Sequence, residues 1–200
     1  TLLARLTNRC NLRCTHCLVS SSPEWPIDND LTTEQWLETM EGFVGYSRDS
    51  GIYNPRVTIT GGEALVRKDA LLVAKRAKSL GAQVELFSNA VLIVNSRIAG
   101  TIADAVTEVQ ISFDGATAPV HDAVRGAGMF ERTVKGAIHL REAGVKFHLS
   151  IVVMPQNFDD LLAHLPSLVR SIGEGVGIRL GLAVKQGRAK DDMVYPSLAA

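Results

Sequence analysis

The chain has 200 residues, enough for one domain with a substantial core, and its 46% apolar and 21% charged residues are the balance of an ordinary globular protein. Lysine plus arginine and aspartate plus glutamate number 21 each, and this formal charge of zero argues against general nucleic-acid binding. No apolar run approaches the length of a membrane-spanning helix, so no membrane partner is expected.

Residues 1–7, TLLARLT, read as a strand. A loop carrying all three cysteines follows, and 20–30, SSSPEWPIDND, is rich in turn residues. Residues 31–51 predict a helix with Trp36, Met40, Phe43 and Val44 on one face and a capping box from Thr32 and Gln35. RVTIT at 56–60 is a β-branched strand, and 70–81 is a helix closed by Gly81. Strand 82–88, a weaker helix 95–104 and strand 107–113 come next, and 114–128 reads as a loop. Residues 129–144 are helical, with Phe130, Val134, Ile138 and Ala137 aligned. Strand 145–153 leads to a helix over 157–173, with Asn157 as its cap and Pro166 expected to kink or split it. Residues 177–184 form a last strand. Six strands alternating with about five helices imply parallel strands joined by right-handed crossovers, hence an α/β barrel or a doubly wound sheet. Thr1 opens directly into a strand and no clear element closes the chain, so it reads as a piece of a longer protein. Residues 1–185 are expected to form a core domain and 186–200 to begin a C-terminal extension.

Cys10, Cys14 and Cys17 are spaced C-x3-C-x2-C, and the chain has no other cysteine. An odd, tightly clustered set is a poor disulfide framework, which points to metal ligation in a reducing, cytoplasmic setting. A four-iron cluster takes one thiolate per iron, so three thiolates leave one iron open, as a catalytic site requires. The alternative is zinc held by three cysteines and a histidine. His16 adjoins Cys17 and cannot readily share a metal with it, and His121, His139, His148 and His164 lack ligand-like spacing.

CNLRCTHC after the first strand, TGGEAL after the second, FSNA after the third and ISFDG after the fourth occur in an order that resembles the radical SAM superfamily. HDAVRGAGMF is similar to a stretch common in its peptide-modifying members, and KQGRAK resembles a segment seen in members that continue into a cysteine-rich SPASM domain. There are two departures: His16 stands where an aromatic residue is usual, and Ala64 where proline usually follows the GGE turn. The resemblance implies a partial (β/α)6 TIM-like barrel holding a [4Fe–4S] cluster on Cys10, Cys14 and Cys17, with S-adenosyl-L-methionine on the open iron. It further implies that Gly61 and Gly62 admit the methionyl group closely and that Glu63 accepts from the ligand's ammonium. Ser112 and Arg125 become candidates for the ligand carboxylate, Ser88 and Asn89 for the ribose or methionyl part, and Asp114 and His16 for further cofactor contacts. His121 and Asp122 could face substrate, and Arg188 could equally be a surface charge. No catalytic residue is assigned. The implied activity is reductive cleavage of S-adenosylmethionine to a 5′-deoxyadenosyl radical that abstracts hydrogen from a substrate. A peptide is the first substrate reading, and a sugar, nucleoside or aminoglycoside the second. A one-electron donor such as flavodoxin or ferredoxin is the implied partner. A zinc- or cluster-stabilised binding module is the non-enzymatic alternative.

Overall fold

The computed structural model describes residues 1–195. Six parallel strands lie in chain order: β1 Leu2–Arg5, β2 Arg56–Thr60, β3 Gln83–Ser88, β4 Glu108–Phe113, β5 Lys146–Val153 and β6 Gly177–Leu182. β1 and β6 are the two edges, so the sheet is an open, partial barrel. Helices α1 Thr33–Asp49, α2 Ala70–Ser79, α3 Ser96–Ala105, α4 Ala118–Arg125, α5 Met129–Glu142 and α6 Phe158–Ile172 fill the crossovers. None of the helices described is long and apolar enough to cross a membrane. The last five positions of the expected extension, 196–200, lie outside the described residues.

The outward sides of the strands supply the core. Val57, Ile59, Val84, Leu86, Val109, Ile111, Leu149 and Ile151 are buried with the inner faces of the helices. The inward side is polar, unlike the packed interior of a closed barrel. There the Gln110 side-chain oxygen accepts from Arg179 Nη1 at 2.8 Å and lies 3.3 Å from His148 Nε2, beside Glu85. The expected capping box is present: Gln35 N–H donates to Thr32 Oγ1 at 3.3 Å and Thr32 N–H to Gln35 Oε1 at 2.9 Å.

Three local expectations change. Residues 114–128 are not all loop, because α4 occupies Ala118–Arg125 with Pro119 in its first turn. Pro166 does not split α6, which runs through it. Asn157 makes no side-chain cap. It is buried and donates through Nδ2 to the carbonyls of Asp114 (2.9 Å) and Val152 (2.8 Å), tying the end of β5 to the turn after β4.

Candidate active site

A cavity of about 320 Å³ opens at the C-terminal ends of the strands. Its wall brings together all three cysteines, His16, Gly61, Gly62, Glu63, Ser88, Asn89, Ser112 and Arg125. In a parallel barrel this is the end where loops from separate strands can meet around one ligand.

The cysteine loop is held from several sides. Cys10 N–H donates to the Ser22 carbonyl at 3.1 Å, and Thr15 N–H to the Val124 carbonyl, at the end of α4, at 2.9 Å. Two of the sulfurs face donors: Leu12 N–H lies 3.4 Å from Cys10 Sγ, Asn89 Nδ2 4.0 Å from the same atom, and Arg125 Nη1 4.0 Å from Cys14 Sγ. Burial pushes the Cys10 thiol up to about 12 and raises Cys14, against which Arg125 and Arg188 favour the thiolate. Thiols in this setting stay protonated until a metal centre binds the sulfurs and displaces the protons to solvent. Among the described residues no three His, Cys, Asp or Glu side chains close to the spacing of a single metal ion.

The GGE turn lies against this loop. Gly62 N–H donates to the Thr7 carbonyl at 2.8 Å and Glu63 N–H to the Arg9 carbonyl at 3.0 Å. A Cβ on Gly62 would sit 2.4 Å from the Arg9 carbonyl oxygen, and one on Gly61 2.6 Å from that of Thr7. The close approach that these glycines permit within the chain is to the backbone leading into Cys10, and both also line the cavity.

Glu63 is 1% exposed. Its Oε2 accepts from Asn89 N–H at 2.7 Å, and its Oε1 from Ser88 Oγ at 3.0 Å and Leu65 N–H at 3.2 Å. All three donors are neutral, and burial raises the carboxyl above its ordinary value. A buried carboxylate without a cation is costly, and a cationic ligand group in this cavity would offset that cost. Ser88 and Asn89 also shape the turn after β3. Ser88 Oγ accepts from Ala90 N–H at 3.0 Å, and Asn89 Nδ2 donates to Asn11 Oδ1 at 2.9 Å.

Asp114 requires a correction. It is fully buried behind the cavity wall and does not line it. Its Oδ2 takes Arg125 Nε at 2.6 Å and His16 Nε2 at 3.1 Å, and its Oδ1 takes Val152 N–H at 3.1 Å. Burial opposes its ionisation, but Arg125 and His16 outweigh that and hold the carboxyl below the usual carboxylate range. Asp114 thus orients two cavity residues from behind the wall.

Neither His121 nor Asp122 lines the cavity. His121 is 0% exposed between the rings of Phe113 and Phe130, and burial brings it down to about 4. Asp122 caps α5, accepting from Gly128 N–H at 2.6 Å and Phe130 N–H at 2.7 Å. Gln110 and Arg188 also line the cavity. Gln110 was missed because its place on the inner face follows only from strand register, and the GRA segment was the one signal for Arg188.

The family model described as the radical SAM superfamily matches residues 5–166. AdoMet-dependent heme synthase of Methanosarcina barkeri is 30% identical over 194 residues, covering 96% of this chain and 53% of that protein. Mycofactocin maturase MftC of Mycolicibacterium smegmatis is 38% identical over 157 residues, covering 78% of this chain and 38% of that protein. The crystal structure of Streptococcus suis SuiB bound to S-adenosylmethionine superposes with a TM-score of 0.74 at 15% identity, over 96% of this chain and 42% of that one. A second SuiB structure, bound to the precursor peptide SuiA, gives 0.73 at 17% identity, over 92% of this chain and 39% of that one. These likenesses to SuiB show the fold, and the chain spans about half or less of the relatives it matches. The family uses a [4Fe–4S] cluster with S-adenosylmethionine, and the donor set here fits both: three thiols on one wall, two of them facing N–H donors, and a buried carboxylate with no salt-bridge partner among the described residues. The chain belongs to the radical SAM superfamily.

Proposed function

We propose that this chain is the catalytic core of a radical S-adenosylmethionine enzyme that modifies a peptide. The observation that carries the first half is the meeting of Cys10, Cys14, Cys17 and the Gly61–Glu63 turn on one cavity. Cys10, Cys14 and Cys17 would hold the cluster, which would supply the electron for reductive cleavage of S-adenosylmethionine to methionine and a 5′-deoxyadenosyl radical able to take hydrogen from the substrate. The protein's own part is positioning. Glu63 offers its carboxylate to the ligand's ammonium, Arg125 and Ser112 offer donors to its carboxylate, and the ring of His16, held by Asp114, packs against the ligand.

The peptide reading draws support from the maturase relative and from the fold shared with SuiB, a protein solved with its precursor peptide. The polar inner face, with Gln110, His148 and Arg179, suits a hydrogen-bonding substrate. The heme synthase relative carries the second reading, a tetrapyrrole, in place of the sugar or nucleoside considered from sequence. The electron comes from a small donor such as flavodoxin or ferredoxin, in a cytoplasmic setting that keeps the thiols reduced. The test is anaerobic reconstitution of the full-length protein, reduction, and incubation with S-adenosylmethionine and each candidate substrate. Mass spectrometry should find 5′-deoxyadenosine, with a mass change on a peptide and none on a porphyrin. A mass change confined to the porphyrin would replace the peptide reading.

A further inference from the structure

Beyond β6 the chain doubles back onto the cysteine loop through Gly187 and Arg188. Arg188 N–H donates to the Cys17 carbonyl at 3.0 Å, and its Nε donates to the Cys14 carbonyl at 2.9 Å. The approach requires glycine beside it. Gly187 has φ +64, and a Cβ there would lie 2.2 Å from the Cys17 carbonyl oxygen and 2.5 Å from that of Leu18. Arg188 thus holds two of the three expected cluster ligands through their carbonyls, Cys17 by its backbone N–H and Cys14 by its guanidinium. Its Nη2 is buried with no hydrogen-bond partner, and the residue forms part of the cavity wall.

Two guanidiniums therefore stand beside Cys14, and their charges are not equivalent. Arg125 is neutralised by Asp114, with Nε 2.6 Å from Oδ2. Arg188 has no acidic partner among the described residues. At partly buried separations an uncompensated unit charge is screened far less than in water. Reduction of a thiolate-held cluster adds one negative charge, so a fixed positive charge nearby favours the reduced form. Net charge and hydrogen bonding around the sulfurs are among the factors that set such potentials.

We propose that Arg188 is a positioning residue that latches the cysteine loop and supplies the unbalanced positive charge raising the cluster's reduction potential. The redox step is the uptake of one electron by the cluster from an external one-electron reductant, with no bond made or broken in the protein. The proposal rests on the cluster assignment, so the readout is a potential and not turnover.

The experiment is a redox titration of the reconstituted, full-length holoenzyme, followed by electron paramagnetic resonance. The signal perturbed by added S-adenosylmethionine identifies this cluster and tests the assignment separately. Arg188→Lys keeps the charge, whereas Arg188→Gln keeps length and a donor without it. The expected pattern is a midpoint near that of the parent for Arg188→Lys and a shift to more negative potential for Arg188→Gln and Arg188→Ala, at parent iron content. Should the neutral variants fail to hold iron while Arg188→Lys holds it, the charge is again supported. Equal midpoints in all variants, or a shift or iron loss in Arg188→Lys as large as in Arg188→Gln, would overturn the proposal and reduce the contact to a structural latch.

Discussion

Replacing Glu63 by Gln separates what its carboxylate does for the fold from what it does for a ligand. The two side chains are nearly isosteric. With the amide oxygen at the Oε1 position, Gln still accepts from Ser88 Oγ and Leu65 N–H. Its NH2 then replaces Oε2 and faces Asn89 N–H, so one 2.7 Å hydrogen bond becomes two opposed donors. That costs about 1–3 kcal/mol, partly offset because a buried charge is no longer desolvated. The sign of the second effect follows from the direction of the Glu63 shift. Its carboxyl is raised in the folded state, so ionisation lowers stability as pH rises through the folded value, and Gln is free of that loss. The ligand-free variant should therefore unfold within about 2 kcal/mol of the parent at neutral pH. Binding of S-adenosylmethionine loses a charge-assisted hydrogen bond of about 1.5–3 kcal/mol, or about 10- to 150-fold in Kd. Isothermal titration of the anaerobic holoenzyme measures Kd, and urea unfolding measures stability. A Glu63→Gln variant with full cluster content and parent affinity would refute the ligand role and leave Glu63 as a brace between the turns after β2 and β3.

His16→Phe should keep the iron and most of the affinity for S-adenosylmethionine, whereas His16→Ala keeps the iron and binds more weakly; iron loss in the Phe variant would make His16 a ligand. Both variants should cost about 1–2 kcal/mol in urea unfolding, because Asp114 loses the 3.1 Å contact from His16 while Arg125 remains. Gly62→Ala has no backbone room, with its Cβ 2.4 Å from the Arg9 carbonyl oxygen, and should lose at least about 2 kcal/mol and reconstitute poorly by iron assay. Asp69 accepts from Arg67 at 2.9 and 2.6 Å and from Thr33 at 2.7 Å, and these bonds, led by Arg67, bring it down to about 2 from an ordinary 3.8. A depressed carboxyl stabilises above its unfolded value and loses that contribution as pH falls through the folded one. Asp69→Asn should therefore cost about 1–2 kcal/mol at pH 7 by urea unfolding, with the gap closing as pH falls from about 4 to about 2.

Much of this was legible along the chain because it is local. The cysteine spacing, the GGE turn and the alternation of strand and helix need no knowledge of tertiary contacts, and all stand in the structure. What was hidden is relational. α4 was missed because its buried face is carried by His121 and Arg125 as well as Val124, so it shows no apolar period. Asp114 reads as a ligand-facing residue until Arg125 and His16 are seen to occupy it, from positions 11 residues after it and nearly 100 before. Asn157 sits where a cap belongs, yet its side chain turns inward to the carbonyls of Asp114 and Val152. Arg188 reads as a surface charge until the chain after β6 folds back onto Cys14 and Cys17. Pro166 survives inside α6 because packing of Leu161, Leu168 and Ile172 outweighs the lost backbone bond.

The central claim is that three thiolates hold a cluster whose open iron takes S-adenosylmethionine. It is tested most directly by the paramagnetic resonance spectrum of the reduced, reconstituted protein with and without S-adenosylmethionine, alongside Cys10→Ala, Cys14→Ala and Cys17→Ala. The account predicts a reduced four-iron signal that changes on addition of S-adenosylmethionine, release of 5′-deoxyadenosine, and loss of both in each cysteine variant. A signal indifferent to S-adenosylmethionine, or a cysteine variant that keeps the full spectrum and cleaves at the parent rate, would contradict it.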